Sequence, residues 1–140
     1  MENFPTWQLV VAGALQRDDG RWLMHRRPLG KHHAGLWEFP GGKVENGENP
    51  PLSLARELKE ELGIVLDTAD MKRAAFAHEP ANSSGKPIVI LLYIVRAWEG
   101  SPIPHEGGEI DWFEPSEIAQ LAKPPLDLDL AAQVFPTECA

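Results

Sequence analysis

Residues 49 to 64 read Asn-Pro-Pro-Leu-Ser-Leu-Ala-Arg-Glu-Leu-Lys-Glu-Glu-Leu-Gly-Ile, and no other stretch restricts the fold and chemistry of this chain as strongly. Asn49 is a fitting N-cap and Pro50 a fitting first helical residue, while Gly63 followed by Ile64 makes a C-terminal stop with its apolar contact. Leu54, Leu58 and Leu62, with Ala55 beside them, recur at helical spacing and give a core face. Glu57, Glu60 and Glu61 stand at i, i+3 and i+4, so three carboxylates share another face. Like charges at these spacings cost a few tenths of a kcal/mol each, and anions near a helix C-terminus also oppose the dipole. A hard divalent cation such as magnesium reverses the sign by taking the oxygens as ligands. From the helix alone, a solvated acidic face with Arg56 as the i+4 partner of Glu60 stays equally open.

Upstream, Trp37-Glu38-Phe39 predicts a short strand, and Pro40-Gly41-Gly42 a loop whose backbone can approach a ligand closely. Gly42, five residues, Glu48, seven residues and then Arg56-Glu57-Leu58-Lys59-Glu60-Glu61-Leu62-Gly63-Ile64 together resemble the Nudix box, with every defining position filled from residue 42 to 64. The flanking Trp37-Glu38-Phe39-Pro40-Gly41-Gly42-Lys43 resembles the MutT branch, which cleaves nucleoside triphosphates.

That resemblance implies one Nudix domain over residues 1–140, an α/β/α sandwich with a mixed central sheet. It implies magnesium, with manganese as an alternative, held by Glu57, Glu60 and Glu61 and by the Gly41 carbonyl. The segment Trp98-Glu99-Gly100 to Glu106-Gly107 resembles the MutT stretch that supplies one more metal-binding carboxylate, here Glu106. Among the catalytic candidates, Glu57 is the expected general base and Glu48 the reserve, and Arg56 is placed to orient the carboxylates. Arg27 and Lys43 are expected to meet phosphates, Phe39 to add an apolar wall for a base, and His32 to line the pocket. The implied reaction converts a nucleoside triphosphate into monophosphate and pyrophosphate, above all for 8-oxo-dGTP.

One position departs from the pattern. The MutT branch places an asparagine after Pro-Pro-Ala, whereas Pro124-Pro125-Leu126 is followed here by Asp127. An ionised aspartate only accepts hydrogen bonds, so a hydrolase preferring cytidine nucleotides is a rival. A non-catalytic nucleotide-binding regulator is a rival of another class, but the box retains all its carboxylates.

Composition narrows the partners. A formal net charge of −8 argues against a nucleic-acid polymer, whose phosphates are bound through basic surface, and leaves room for a small nucleotide bridged by cations. The single Cys139 has no disulfide partner, and the start Met1-Glu2-Asn3-Phe4-Pro5 lacks a signal-peptide pattern. No apolar run reaches membrane-spanning length, so a cytoplasmic monomer or weak homodimer is expected.

Along the rest of the chain, strands are expected at 7–15 and 21–27 with a hairpin turn between them, and at 71–79, 88–98 and 109–113. Helices are expected at 115–121 and 128–135, the latter after a rigid loop at 123–127. Periodicity alone supports no more than α+β or α/β.

Overall fold

The computed structural model describes residues 6–30, 34–81 and 85–136; His32 and Cys139 lie outside these. Among the described residues, seven strands and three α-helices follow in the order β1 (Gln8–Leu15), β2 (Trp22–Arg26), β3 (Trp37–Glu38), β4 (Gly41–Lys43), α1 (Pro50–Leu62), β5 (Met71–His78), β6 (Ile88–Val95), β7 (Glu109–Phe113), α2 (Pro115–Ile118) and α3 (Pro125–Val134). The mixed sheet has the order β4-β1-β6-β5, with β1 parallel to β6 and the other pairs antiparallel. A second, antiparallel sheet has the order β3-β2-β7.

Alternation along β1 builds two cores. Val11 and Leu15 pack with Leu54, Leu58 and Leu62 of α1, while Ala12 and Ala14 face a cluster with Ile118 of α2 and Leu130 and Ala131 of α3. Helices thus cover both faces of the central layer, as the resemblance implies. The three leucines of α1 are essentially fully buried, and each contributes roughly 1.5–3 kcal/mol by leaving water. That exceeds the few tenths of a kcal/mol by which each carboxylate pair on the outer face repels. Packing therefore holds the unfavourable charges where they are.

The α1 caps match the expectation. The Asn49 side chain accepts from the Leu52 N–H at 3.0 Å, and Gly63 has φ of 71° and donates its N–H to the Lys59 carbonyl.

Four expectations are corrected. The turn at 17–20 does not form a full hairpin: after the single bridge Gln16↔Trp22 the two strands enter different sheets. Gly41 and Gly42 are not loop but strand, paired with Ala12 and Val11, because a residue without Cβ lets β4 lie tightly on β1. The last helix begins at Pro125, not 128, since Pro pre-sets the first-turn φ and Asp127 suits the positive helix end. The helix starting at Pro115 stops at Ile118, secured at its start by the reciprocal Glu114–Glu117 capping box.

The chain between β3 and β4 positions the site. Trp37 and Glu38 pair with β2 in the small sheet, Phe39 and Pro40 cross over, and Gly41 to Lys43 join the large one. The Pro40 carbonyl, accepting from the Gly13 N–H at 2.8 Å, fixes the crossing.

Candidate active site

Arg56 is the hub of the polar face of α1. Its Nε and Nη2 donate to the two oxygens of Glu48 at 2.6 and 3.0 Å, and Nη2 also reaches the Lys43 carbonyl at 3.1 Å. Its Nη1 donates to Glu57 at 3.1 Å and to Glu60 at 3.4 Å. A planar guanidinium with five donors in fixed directions can hold these groups together, which a lysine ammonium cannot. Glu48 further accepts from the buried Ser53 hydroxyl at 2.7 Å and from the Glu45 N–H at 3.1 Å. These bonds, those from Arg56 first, pull the Glu48 carboxyl down to about 2. A carboxylate so satisfied is a weak base.

Glu57 is different. Its side chain is 15% exposed against 53% for Glu60, and it lies against Gly42, where an added Cβ would run into the Glu57 carboxyl. Burial raises its pKa, the Arg56 hydrogen bond and charge lower it, and the charges of Glu60 and Glu106 raise it. Glu61 is pushed further, to about 8, by burial and then by the charges of Glu57 and Glu106.

Glu106 reaches this neighbourhood because its loop caps α1. The Ile103 and His105 N–H groups donate to the Leu62 and Glu61 carbonyls at 3.0 and 2.8 Å, satisfying acceptors that a helix end leaves open. Among the described residues, no three acidic, His or Cys side chains stand close enough to form a finished metal cage. The donor set nevertheless fits a hard cation. Glu57 and Glu61 of α1 both feel the charge of Glu106 from the 99–108 loop, and burial raises Glu61 to about 8, so a cation taking their oxygens would relieve the cost of ionising them together.

On the other side of Gly41 and Gly42 opens a cavity of about 740 Å³. Arg27, Glu38, Phe39, Lys43 and Asp127 line it, with Val10 and Ile90 on its apolar floor. Arg27 Nε donates to Glu38 at 2.9 Å, and Lys43 is exposed at the edge. Asp127 is buried, and one of its oxygens, Oδ2, accepts the Phe39 N–H at 3.0 Å. Burial lifts its pKa to about 7, against the opposing effect of that hydrogen bond.

The structure therefore gathers the expected residues in two adjoining groups. Glu48, Arg56, Glu57, Glu60 and Glu61 belong to the α1 side, and Arg27, Gly41, Lys43, Phe39 and Asp127 to the cavity. His32 lies outside the described residues. Phe39, only 3% exposed, is more core residue than open wall, and Trp37 packs edge-on to Phe113 at 5.1 Å, a core role. Sequence reasoning missed Glu38 and Ser53. A lone strand glutamate and a helix serine carry no signal until pairing places one on Arg27 and the other on Glu48.

A family model described as "NUDIX domain" matches residues 6–134. The chain belongs to the Nudix family. It is 37% identical over 121 residues to the CTP pyrophosphohydrolase of Escherichia coli K12, covering 86% of each chain. It is 36% identical over 121 residues to the 8-oxo-dGTP diphosphatase of Haemophilus influenzae, again covering 86% of each. Among solved structures, that of the E. coli ORF135 protein superposes with a TM-score of 0.81 at 35% identity, covering 92% of this chain and 89% of that one. The Nudix domain thus shares its mixed α+β fold with proteins of nucleotide hydrolysis.

Proposed function

We propose that this Nudix domain hydrolyses nucleoside triphosphates to nucleoside monophosphate and pyrophosphate, with magnesium or manganese as cofactor and 8-oxo-dGTP as the leading substrate. The observation that carries the reading is the position of Gly42. A shielded carboxylate, Glu57, presses on one side of this strand, and a cavity of about 740 Å³, within the usual range for small-molecule sites, opens along it. Glu57, Glu60 and Glu61, with Glu106 and the Gly41 carbonyl, would hold the cation. When bound, it supplies charge neutralisation on the phosphoryl oxygens and a water of lowered pKa.

Each side chain then has a task. Glu57, raised by burial, accepts a proton from the attacking water; Glu48, held near 2 by Arg56 and Ser53, is the poorer base and anchors Arg56 instead. Arg56 fixes the positions of Glu57 and Glu60. Arg27 and Lys43 meet phosphate oxygens from the cavity side, and Glu38 sets the direction of Arg27.

Asp127 favours a second reading. With Oδ2 committed to the Phe39 N–H, Oδ1 is left for the base; in the ionised form that prevails above about pH 7 it accepts from the single amino group of cytosine, and one similar protein bears the name CTP pyrophosphohydrolase. Pyrophosphate release from the standard nucleotides, 8-oxo-dGTP and cytidine analogues, compared as kcat/KM for wild type and Asp127→Asn, separates the two. The proposal expects 8-oxo-dGTP to lead and the substitution to reorder the panel by roughly 1–3 kcal/mol of discrimination. Cytidine nucleotides in first place would establish the second reading, and an unchanged order would remove Asp127 from base selection.

A further inference from the structure

Glu106 lies in a loop, and a loop carboxylate serves a metal only if something fixes it. One clamp is the α1 end, where the His105 N–H donates to the Glu61 carbonyl at 2.8 Å, with the His105 ring over Gly63, 2.6 Å from where a Cβ would stand. The other clamp is on the small sheet. His25, in β2 between its register partners Glu38 and Ile110, has Nε2 at 3.1 Å from the Gly107 carbonyl. A carbonyl only accepts, so Nε2 carries the hydrogen and donates it. The His25 Nδ1 faces Glu38 at 3.9 Å, and the side chain is 21% exposed. Gly108 closes the fit, since a Cβ there would run into the Arg26 carbonyl and approach His25 Nε2 to 3.0 Å.

Glu106 is thus flanked by one anchored residue on each side, His105 on α1 and Gly107 on β2. We propose that His25 is a positioning residue for the metal site, holding the Glu106 carboxylate against Glu57 and Glu61 through its hydrogen bond to the Gly107 carbonyl. This rests on the reading of Glu106 as a ligand. The donor at 3.1 Å and the lack of room for a side chain at position 108 together fix the residue that follows Glu106. A space-filling role alone would need the ring of His25 but not its N–H.

Two substitutions distinguish these roles. His25→Gln keeps a donor, whereas His25→Phe keeps ring bulk and loses the donor. Manganese binding to the nucleotide-free protein, followed by electron paramagnetic resonance, should weaken about tenfold in His25→Phe and stay within about twofold in His25→Gln, as for lost and retained partners of a metal ligand. In a Glu106→Gln background His25→Phe should add no further loss. Amide hydrogen exchange in the metal-free protein should speed up over residues 105–108 in His25→Phe only. Unchanged manganese binding in His25→Phe, an equal loss in the Glu106→Gln background, or unaltered loop exchange would each overturn the proposal. Wild-type protein that binds no manganese would instead bring down the functional reading, and this proposal with it.

Discussion

Glu57 and Glu48 are both box carboxylates within reach of Arg56, yet their surroundings give them opposite tasks. Glu48 accepts four hydrogen bonds, and Glu57 accepts one while shielded from water. Glu57→Gln should therefore lower kcat at least about a hundredfold, the lower range for a lost acid–base group. The metal-free variant should melt no lower than wild type, because the change also removes repulsion from Glu60 and Glu106. Near wild-type turnover would show another carboxylate to be central. Asp127 permits a prediction about pH. Its carboxyl moves from 3.8 to about 7 on folding, so across that window the folded form holds a proton that the unfolded form has lost. Stability from this group is full below the unfolded value and declines as pH rises through about 7. Glu61 adds the same sign, from 4.5 to about 8, so the difference between proteins isolates Asp127. Melting temperatures of metal-free Asp127→Asn should fall less between acid and neutral pH than those of wild type. Parallel curves would mean that Asp127 stays ionised.

Elements show why some of the site was legible in the sequence and some was not. The α1 helix announced itself because caps, leucine spacing and carboxylate spacing all lie within one local run, and local geometry converts spacing into faces. The pairings His25 with Glu38, Phe39 with Asp127 and His105 with the α1 end join residues far apart in sequence, and no local pattern records them. Gly41 and Gly42 misled in a different way. Glycines usually punctuate strands, but here the missing side chains let β4 pair with β1 while Glu57 lies against it. Gly42→Ala should displace the Glu57 carboxyl and lower kcat by about a hundredfold, the penalty of a displacement on the order of 1 Å. Circular dichroism should remain that of the folded protein. Full activity would show that Glu57 has freedom to retreat.

On the scale of the molecule, two cores on opposite faces of the mixed sheet support the site from both sides. α1 carries carboxylates on one flank, and α3 carries Asp127 at the far wall of the cavity. Strand alternation and helix spacing made the α+β class legible, whereas the partition of seven strands into two sheets depends on the crossing at Phe39 and Pro40. A formal net charge of −8 makes a bare polyphosphate an unfavourable guest. Cations between carboxylates and phosphates resolve that conflict, so binding of substrate and metal should be interdependent. The most direct measurement is a phosphorus-31 spectrum of the products formed from a nucleoside triphosphate, recorded with magnesium and again with excess chelator. The account predicts nucleoside monophosphate and pyrophosphate with magnesium and intact triphosphate without it. Nucleoside diphosphate with inorganic phosphate, or hydrolysis undiminished by the chelator, would contradict it.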